Sequence, residues 1–262
     1  MAGTLQHRIV SWVSANLFDH VTYTVRNGLN QGLRRKGGLG WLPTEHDTPE
    51  LRFWKALDLR GKVVYDVGAF QGILTIFYAR NARAVVAWEP NSRNRRRLME
   101  NVKLNQFSNV IVRPYGLSSK AAQAEMRFDP LMSGMATVDS GVASGSEHET
   151  IELRTLDGEQ GLEPPDLIKI DVEGAELNVL RGMRQTISRL PGLLIIIEYC
   201  PKNLQGSGVA PRAVYDELKA GGLTIQFIRE DGSTRDINRF EDLEPVLNPH
   251  GYTNLLCSRS KS

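Results

Sequence analysis

The chain has 262 residues, of which 41% are hydrophobic and 24% are charged, and its formal net charge is +2. This length suits one large domain or two small ones, and the composition is ordinary for a globular protein. So small a net charge gives no reason on its own to expect a nucleic-acid partner. No run of about 18 apolar residues occurs, so no membrane-spanning helix is expected.

The N-terminus and the cysteines bear on the compartment. The first 20 residues lack the basic segment and long apolar core of a secretory signal. Cys200 and Cys257 are the only cysteines, and neither has a metal-ligand spacing, so we interpret them as reduced thiols. These features together predict a cytoplasmic protein.

Residues 1–60 are predicted to form an N-terminal helical cap or lid. Apolar residues recur at helical spacing in 9–17 and again in 51–57, whereas 32–40 is a basic, glycine-rich loop. No strand is expected in this region. Two interpretations remain open: a cap over the edge of a sheet, or a lid that forms one wall of a substrate site.

From residue 61 onward, apolar segments alternate with amphipathic ones. Strands are predicted at 63–67, 84–88, 110–113, 167–171, 193–198, 223–229 and 252–258. Helices are predicted at 72–80, 92–104, 176–190 and 211–220. Alternation of this kind indicates an α/β domain over 61–262, with a seven-stranded, mostly parallel sheet and helices on both faces. The last two strands are expected to be joined by a hairpin-like return.

An insertion at about 118–160 interrupts the alternation. Residues 126–128 and 150–154 are predicted to pair as an antiparallel ribbon around the small, polar segment 140–149, which is expected to be a mobile loop. We expect the insertion to lie over the carboxyl ends of the strands, where ligands bind in sheets of this class.

The segment VVYDVGAFQG at 63–72 takes the first strand through a glycine turn into a helix. It lacks the GxGxxG spacing of dinucleotide sites, so a nicotinamide cofactor is not expected. The turn suits a ligand with an amino-acid tail, whose carboxylate can reach free N–H groups of the helix. The acid at the start of the turn either orients the loop or holds the ligand's ammonium group through water. The predicted cofactor contacts are Asp66, Gly68, Ala69, Phe70, Gln71 and Gly72.

The second strand ends at Glu89 and Pro90, and Glu89 follows Asp66 by 23 residues. A carboxylate at this point can accept hydrogen bonds from two ribose hydroxyls. The proline would place the next backbone groups beside an adenine ring. Leu117, after the third strand, either borders the adenine or belongs to a plain strand exit.

Asp171 and Glu173 follow the fourth strand, where a reacting group would lie. Either carboxylate could be a general base, bind the cofactor's ammonium group or hold a cation. Each could instead be a charge at a helix N-terminus that stabilises the helix dipole. Asp171 with Glu198 could supply oxygen ligands to a magnesium-type ion, although a functional metal is not favoured. Lys169, inside an apolar strand, either reaches the rim of the sheet or pairs with an acid.

Other charged residues are assigned no function. His148 and His250 could act as general bases, although a solvated loop residue is expected at each position. The arginine cluster at 93–97 begins an amphipathic helix, which indicates a solvated outer face.

The segment LIKIDVEGAELNVLRGM at 167–183, with DVGAFQG before it and RTLD at 154–157, resembles the FkbM-type methyltransferases. The resemblance covers about 62–199. It implies a class I Rossmann-like fold and transfer of a methyl group from S-adenosyl-L-methionine, with S-adenosyl-L-homocysteine as product. Members of this family generally methylate hydroxyls of sugars, polyketides and related metabolites.

The resemblance also implies residue roles. The glycine turn at 66–72 would hold the methionine side and Glu89 the ribose. Asp171 would lie beside the methionine tail or the reacting centre, with Glu173 near the substrate. The chain departs from the family at Phe70, where a small polar residue, often Asn, is common.

The expected activity is therefore O-methylation of a hydroxyl on a small molecule or a glycan, by a protein that could form a homo-oligomer. One alternative is N-methylation of a peptide or nucleic acid, although the DPPY-type motif of many adenine N-methyltransferases is absent. The other is a scaffold that binds S-adenosylmethionine without catalysis.

Overall fold

The computed structural model describes residues 19–37, 48–128, 137–138, 147–229, 231–248 and 251–259. The amphipathic helix predicted at 9–17, most of the loop predicted at 140–149 and His250 lie outside these residues. None of the helices in the described ranges has the length and apolar character needed to cross a bilayer.

The described part of the N-terminal region contains a β-hairpin, so the expectation of no strand before residue 60 was wrong. Strands β1 (Thr22–Thr24) and β2 (Arg34–Lys36) pair antiparallel, and β2 lies within the segment expected to be a loop. The helix predicted at 51–57 is confirmed as α1 (Pro49–Ala56). Thr48 caps it by accepting a hydrogen bond from the amide of Leu51.

The first half of the α/β domain follows the predicted order closely. Its elements are β3 (Val63–Val67), α2 (Ile73–Asn81), β4 (Ala84–Trp88), α3 (Ser92–Leu104) and β5 (Val110–Arg113). The insertion adds β6 (Gly116–Leu117), β7 (Ala122–Phe128), β8 (Thr137–Val138) and β9 (Glu147–Arg154), and a short 3-10 helix, Leu156–Gly158, follows it.

The second half completes the domain. Its elements are β10 (Leu167–Ile170), α4 (Glu176–Arg181), α5 (Arg184–Arg189), β11 (Leu194–Tyr199), α6 (Pro201–Gly206), α7 (Pro211–Ala220), β12 (Leu223–Ile228), β13 (Thr234–Ile237) and β14 (Thr253–Arg259). Two more 3-10 helices, Phe240–Asp242 and Glu244–Val246, precede the last strand. Helix α6 was not predicted from the sequence.

The main sheet has the order β13-β12-β14-β11-β10-β3-β4-β5. The five strands from β11 to β5 are parallel, while β14 lies antiparallel between β11 and β12. This arrangement confirms a mostly parallel class I methyltransferase-like sheet, but it has eight strands rather than seven. The extra strand, β13, forms a hairpin with β12 within the predicted hairpin-like return. The two predicted strands, β12 and β14, also pair antiparallel.

The helix predicted at 176–190 is two helices, α4 and α5, that separate at Gly182. A Cβ atom at Gly182 would lie 2.0 Å from the carbonyl oxygen of Ser118, so a side chain there would collide with the start of the insertion. The carboxylate of Asp157, in the RTLD segment, accepts hydrogen bonds from the amides of Gln185 and Thr186 at 2.9 and 2.8 Å. Asp157 therefore caps the N-terminus of α5 from a distant part of the chain.

The insertion folds as a small sheet with the order β6-β9-β7-β8. The predicted antiparallel ribbon is confirmed, but its register differs from the prediction. Met126 pairs with Glu149 and Phe128 with Glu147, so 126–128 pair with 147–149 rather than with 150–154. His148 is therefore an exposed strand residue and not a loop residue.

Candidate functional site

A cavity of about 650 Å³ lies at the carboxyl ends of β3, β4 and β10 and is covered on one side by the insertion. Its size is typical of sites for small molecules and cofactors. Six of the predicted cofactor contacts line it: Gly68, Phe70, Glu89, Pro90, Leu117 and Asp171. Glu173, the second predicted catalytic residue, also lines it.

The other predicted contacts lie in or beneath the glycine turn and do not line the cavity: Asp66, Ala69, Gln71 and Gly72. Asp66 is buried and accepts a hydrogen bond of 2.6 Å from the hydroxyl of Thr75 on α2. Burial raises the pKa of Asp66 to about 6. Its position fits the interpretation in which it orients the loop.

Both glycines of the turn have a positive φ at which a side chain would be strained. Gly68 has φ +82°, and a Cβ atom there would lie 1.8 Å from the carbonyl oxygen of Asp171. Gly72 has φ +80°, and its Cβ would lie 3.0 Å from Leu98 of α3. The first glycine thus allows the end of β10 to lie against the turn, and the second allows α3 to pack closely at the start of α2.

Phe70 adopts the left-handed conformation, with φ 51°. Bulky residues rarely occupy this region, whereas Asn does so several times more often than most residues. The backbone therefore gives a physical reason for the small polar residue common at this position. The amide of Phe70 donates a hydrogen bond of 2.8 Å to Oε2 of Glu89.

Glu89 is 5% exposed and faces the cavity from the end of β4. Its Oε1 accepts a hydrogen bond of 2.9 Å from the amide of Asn91, so each carboxylate oxygen has one backbone donor. A carboxylate oxygen has two lone pairs, which leaves one on each oxygen for a ligand hydroxyl. Burial raises the pKa of Glu89 to about 8.

The arginine cluster at 93–97 was expected to form a solvated outer face, and this prediction was only partly right. Arg95 donates hydrogen bonds from Nη1 to the carbonyls of Glu89 and Pro90 at 2.9 and 2.6 Å. Arg97 pairs with Asp19 of the N-terminal hairpin at 2.8 Å. Two members of the cluster therefore fix the exit of β4 and the hairpin, while Arg93 and Arg96 are exposed.

The insertion contacts the side of the cavity nearest β4. A Cβ atom at Gly116 would lie 2.8 Å from the side chain of Leu153 on β9. Glu149, also on β9, accepts hydrogen bonds from the amide of Ser92 at 3.0 and 3.1 Å and from Nδ2 of Asn91 at 3.2 Å. The insertion therefore lies over the carboxyl ends of the strands, as predicted, and is attached at the N-terminus of α3.

Lys169 was predicted either to reach the rim of the sheet or to pair with an acid, and the structure shows that it pairs with an acid. The side chain is buried, and Nζ lies 3.0 Å from Oδ2 of Asp171. Burial opposes its charge, but Asp171 and Glu198 favour the ammonium form, and the net result is a raised pKa for Lys169. A buried positive charge therefore lies beside Asp171, which lines the cavity, although Lys169 itself does not.

Glu173 also has a left-handed backbone, with φ 53°. Asn203, on the unpredicted helix α6, donates a hydrogen bond of 2.6 Å from Nδ2 to Oε2 of Glu173. Burial, together with the charges of Asp171 and Glu198, raises the pKa of Glu173 to about 8. Nothing in the sequence pattern indicated Asn203, because the contact spans 30 residues.

Further polar groups line the cavity, from the β6–β7 connection and from helices α4 and α6. They are Ser118, Ser119, Lys120, Asn178 and Ser207.

Within the ranges that the structure describes, no group of three or more His, Cys, Asp or Glu side chains is placed to hold a metal ion. Glu198, weighed with Asp171 as a source of oxygen ligands, has a raised pKa because of burial and the nearby charge of Asp171.

Comparisons with known proteins identify related sequences. The model of the Methyltransferase FkbM domain matches residues 66–247. Hexuronic acid methyltransferase AglP of Haloferax volcanii is 27% identical over 209 residues, which are 72% of this chain and 78% of that protein. 2-O-methyltransferase NoeI of Sinorhizobium fredii is 37% identical over 83 residues, which are 30% of this chain and 33% of that protein.

Solved structures with similar folds also exist. The crystal structure of Methyltransferase FkbM from Methylobacillus flagellatus aligns with a TM-score of 0.49 and 17% identity. The alignment covers 75% of this chain and 43% of that one.

Proposed function

Because the chain belongs to the FkbM family of S-adenosylmethionine-dependent methyltransferases, we propose that it methylates a hydroxyl group of a small metabolite or a glycan. Two relatives support an oxygen acceptor: one is named for hexuronic acid and the other for 2-O-methylation. The serine, asparagine and lysine side chains that line the cavity support a hydroxylated acceptor, because they can exchange hydrogen bonds with it.

The residues of the cavity fit S-adenosylmethionine. Glu89 has a lone pair free on each oxygen for the ribose hydroxyls, and Pro90 and Leu117 offer apolar surface for the adenine. Gly68 lets the turn lie directly against the carbonyl of Asp171, so the turn and the end of β10 stand side by side where the methionine tail would bind. When bound, the cofactor supplies a methyl group on an electron-poor sulfur.

Glu173 carries the proposal of a hydroxyl acceptor. It is a carboxyl group held in a strained left-handed conformation at the cavity wall, and such strain occurs preferentially at functional sites. A base with a pKa near the working pH removes a hydroxyl proton most effectively, and Glu173 has a pKa of about 8. Glu173 would take the hydroxyl proton as the acceptor oxygen bonds to the methyl carbon, while the bond from that carbon to sulfur breaks and leaves its electron pair on the sulfur of S-adenosylhomocysteine.

Asp171 is the second candidate for the base, but its charge is already engaged by Lys169 at 3.0 Å. We therefore assign it to the methionine side of the cavity, where its carboxylate would attract the cofactor's ammonium group. Much of the rate enhancement would come from holding the hydroxyl and the methyl group in line.

The experiment is transfer of a labelled methyl group from S-adenosylmethionine to a panel of sugars, hexuronic acids, glycans and polyketides. We expect a labelled methyl ether that survives mild alkali. Label lost in mild alkali would indicate a carboxyl ester, and label on nitrogen would support the alternative of N-methylation. Binding of S-adenosylhomocysteine without transfer to any pool would support a non-catalytic scaffold.

A further inference from the structure

Asn101 of α3 links two parts of the molecule that are distant in sequence. Its side chain is fully buried, and Nδ2 donates a hydrogen bond of 2.9 Å to the carbonyl of Gln71 in the glycine turn. Its Oδ1 accepts a hydrogen bond of 2.9 Å from the amide of Lys36 on β2. Both ends of the amide are therefore engaged, which fixes its orientation.

The turn that Asn101 contacts is strained. Phe70 has φ 51°, a conformation that places Cβ too close to the following carbonyl oxygen and costs free energy in any residue with a side chain. Two hydrogen bonds to groups outside the turn act next to this point: the amide of Phe70 donates to Glu89, and the carbonyl of Gln71 accepts from Asn101. Without the hydrogen bond from Asn101, the carbonyl of Gln71 would have no side-chain donor, and it lies next to the strained Phe70.

The N-terminal hairpin, residues 19–37, holds Asn101 and the start of α2 at once. Besides the Lys36 contact, Asn30 donates a hydrogen bond of 2.8 Å from Nδ2 to the carbonyl of Ile73, the first residue of α2. Asp19 pairs with Arg97 one turn before Asn101 on α3. The hairpin therefore contacts both helices that flank the turn, although it lies outside the segment matched by the family model, 66–247.

We propose that Asn101 is a positioning residue for the cofactor turn, and that the hairpin contributes to the cofactor site only through the Lys36 contact that orients Asn101. Neither makes contact with the cofactor in this assignment. The inference depends on the turn binding S-adenosylmethionine, and it is independent of the acceptor.

The test compares Asn101→Asp with Asn105→Ala by calorimetric titration of the full chain with S-adenosylhomocysteine. The aspartate keeps an acceptor for the amide of Lys36 but removes the donor to Gln71. Asn105, one turn later, exchanges hydrogen bonds of 2.8 and 2.7 Å with Arg34 of the same hairpin. Its Nδ2 also donates a hydrogen bond of 2.8 Å to the backbone carbonyl of Asn101. Although Asn105 is less buried than Asn101, its substitution is a control that loosens the same hairpin and helix without removing the side-chain contact to the turn.

We expect Asn101→Asp to raise the Kd roughly tenfold, because it removes a buried hydrogen bond and leaves the carbonyl of Gln71 without its donor. Asn105→Ala should stay within about twofold of the wild type. Hydrogen exchange of the peptide that contains the turn should quicken in the first variant and not in the second. This second readout separates a loosened turn from general loss of stability.

If Asn101→Asp does not fold, Asn101→Ala replaces it in the same comparison. Both Ala variants then lack the side-chain amide beyond Cβ, so they differ only in which asparagine is removed. A wild-type Kd and unchanged exchange in the Asn101 variant would overturn the inference. Equal weakening in the Asn105 variant would also overturn it, because the effect would then come from the hairpin–helix contact in general. Failure of every acceptor in the transfer assay would leave these Kd differences intact and would contradict only the proposed reaction.

Discussion

Replacing Glu89 with Ala should weaken binding of S-adenosylhomocysteine strongly, because the carboxylate is placed to accept hydrogen bonds from both ribose hydroxyls. Each oxygen of Glu89 has one backbone donor, from Phe70 or Asn91, and one lone pair left. Hydrogen bonds to a charged group contribute about 1.5–3 kcal/mol each, so two contribute about 3–6 kcal/mol.

The buried carboxyl must first lose its proton, which reduces this gain. With a pKa of about 8, Glu89 is mostly protonated at pH 7, and ionising it costs about 1.4 kcal/mol there. The net loss in the Ala variant should therefore be about 1.6–4.6 kcal/mol, or roughly 15- to 2,500-fold in Kd. The same reasoning sets the sign of the pH dependence: wild-type affinity should increase from pH 6 to 8, as the carboxyl ionises, and then level off.

Calorimetry at several pH values tests both expectations, with Glu89→Gln as the variant of matched size. The Gln variant cannot ionise, so it should bind the ligand weakly. Its affinity should not increase between pH 6 and 8. An analogue of the ligand without the ribose hydroxyls should bind the wild type weakly and should lose no further affinity in Glu89→Ala. Unchanged affinity in Glu89→Ala, or an additive loss with the analogue, would refute the ribose assignment.

Three further substitutions test other parts of the structure. Gly68→Ala should lower the free energy of unfolding by about 2–4 kcal/mol, measured in urea, because its Cβ would lie 1.8 Å from the carbonyl oxygen of Asp171; wild-type stability would contradict the geometry of the turn. Asp157→Ala should cost about 1–2 kcal/mol in the same assay by uncapping α5, and a loss below about 0.5 kcal/mol would contradict the capping role. Glu173→Gln should reduce methyl transfer at least about 100-fold while S-adenosylhomocysteine still binds. Since the folded protein raises the pKa of Glu173 from 4.5 to about 8, the wild type should lose stability as the pH rises through this window, and the Gln variant should become the more stable of the two by pH 8. No change in this difference with pH would refute the pKa shift.

The parts of the fold that the sequence predicted well are those specified by local pattern. The buried strands β3, β4 and β10 are continuous runs of mostly apolar residues, and α3 has a clear amphipathic period, so their bounds agree with the prediction to within a residue. The glycine turn was also predictable, because the conformations that it requires restrict the residue type at Gly68 and Gly72.

The elements that the prediction missed are short or depend on distant contacts. Strands β1, β2 and β13 have three or four residues each, too few to show a period, and most of their side chains are not buried. The break between α4 and α5 lies within an apolar stripe that continues across it. It is set by Ser118, which excludes a side chain at Gly182, and by Asp157, which caps α5.

The same distinction divides the site. Glu89, Asp171 and Glu173 stand at strand ends, which parallel-sheet topology makes recognisable as ligand positions. Asn101 and Asn203 lie on helices, where no such rule applies. The sequence contains no sign that Asn101 is fully buried or that Asn203 reaches the carboxylate of Glu173, 30 residues away. Their contacts follow from the packing of helices against the sheet.

Backbone strain joins these observations. Three non-glycine residues among those described have positive φ, and two of them, Phe70 and Glu173, line the cavity at the ends of neighbouring strands. Each is followed within two residues by a glycine at a tight packing contact, Gly72 or Gly174. Each turn also accepts a hydrogen bond from an asparagine amide: Asn101 donates to the carbonyl of Gln71, and Asn203 donates to the carboxylate of Glu173. Such strain persists only where surrounding contacts offset its cost. The two amides supply part of that compensation, so substitutions that remove them should disturb the cavity before they disturb the sheet beneath it.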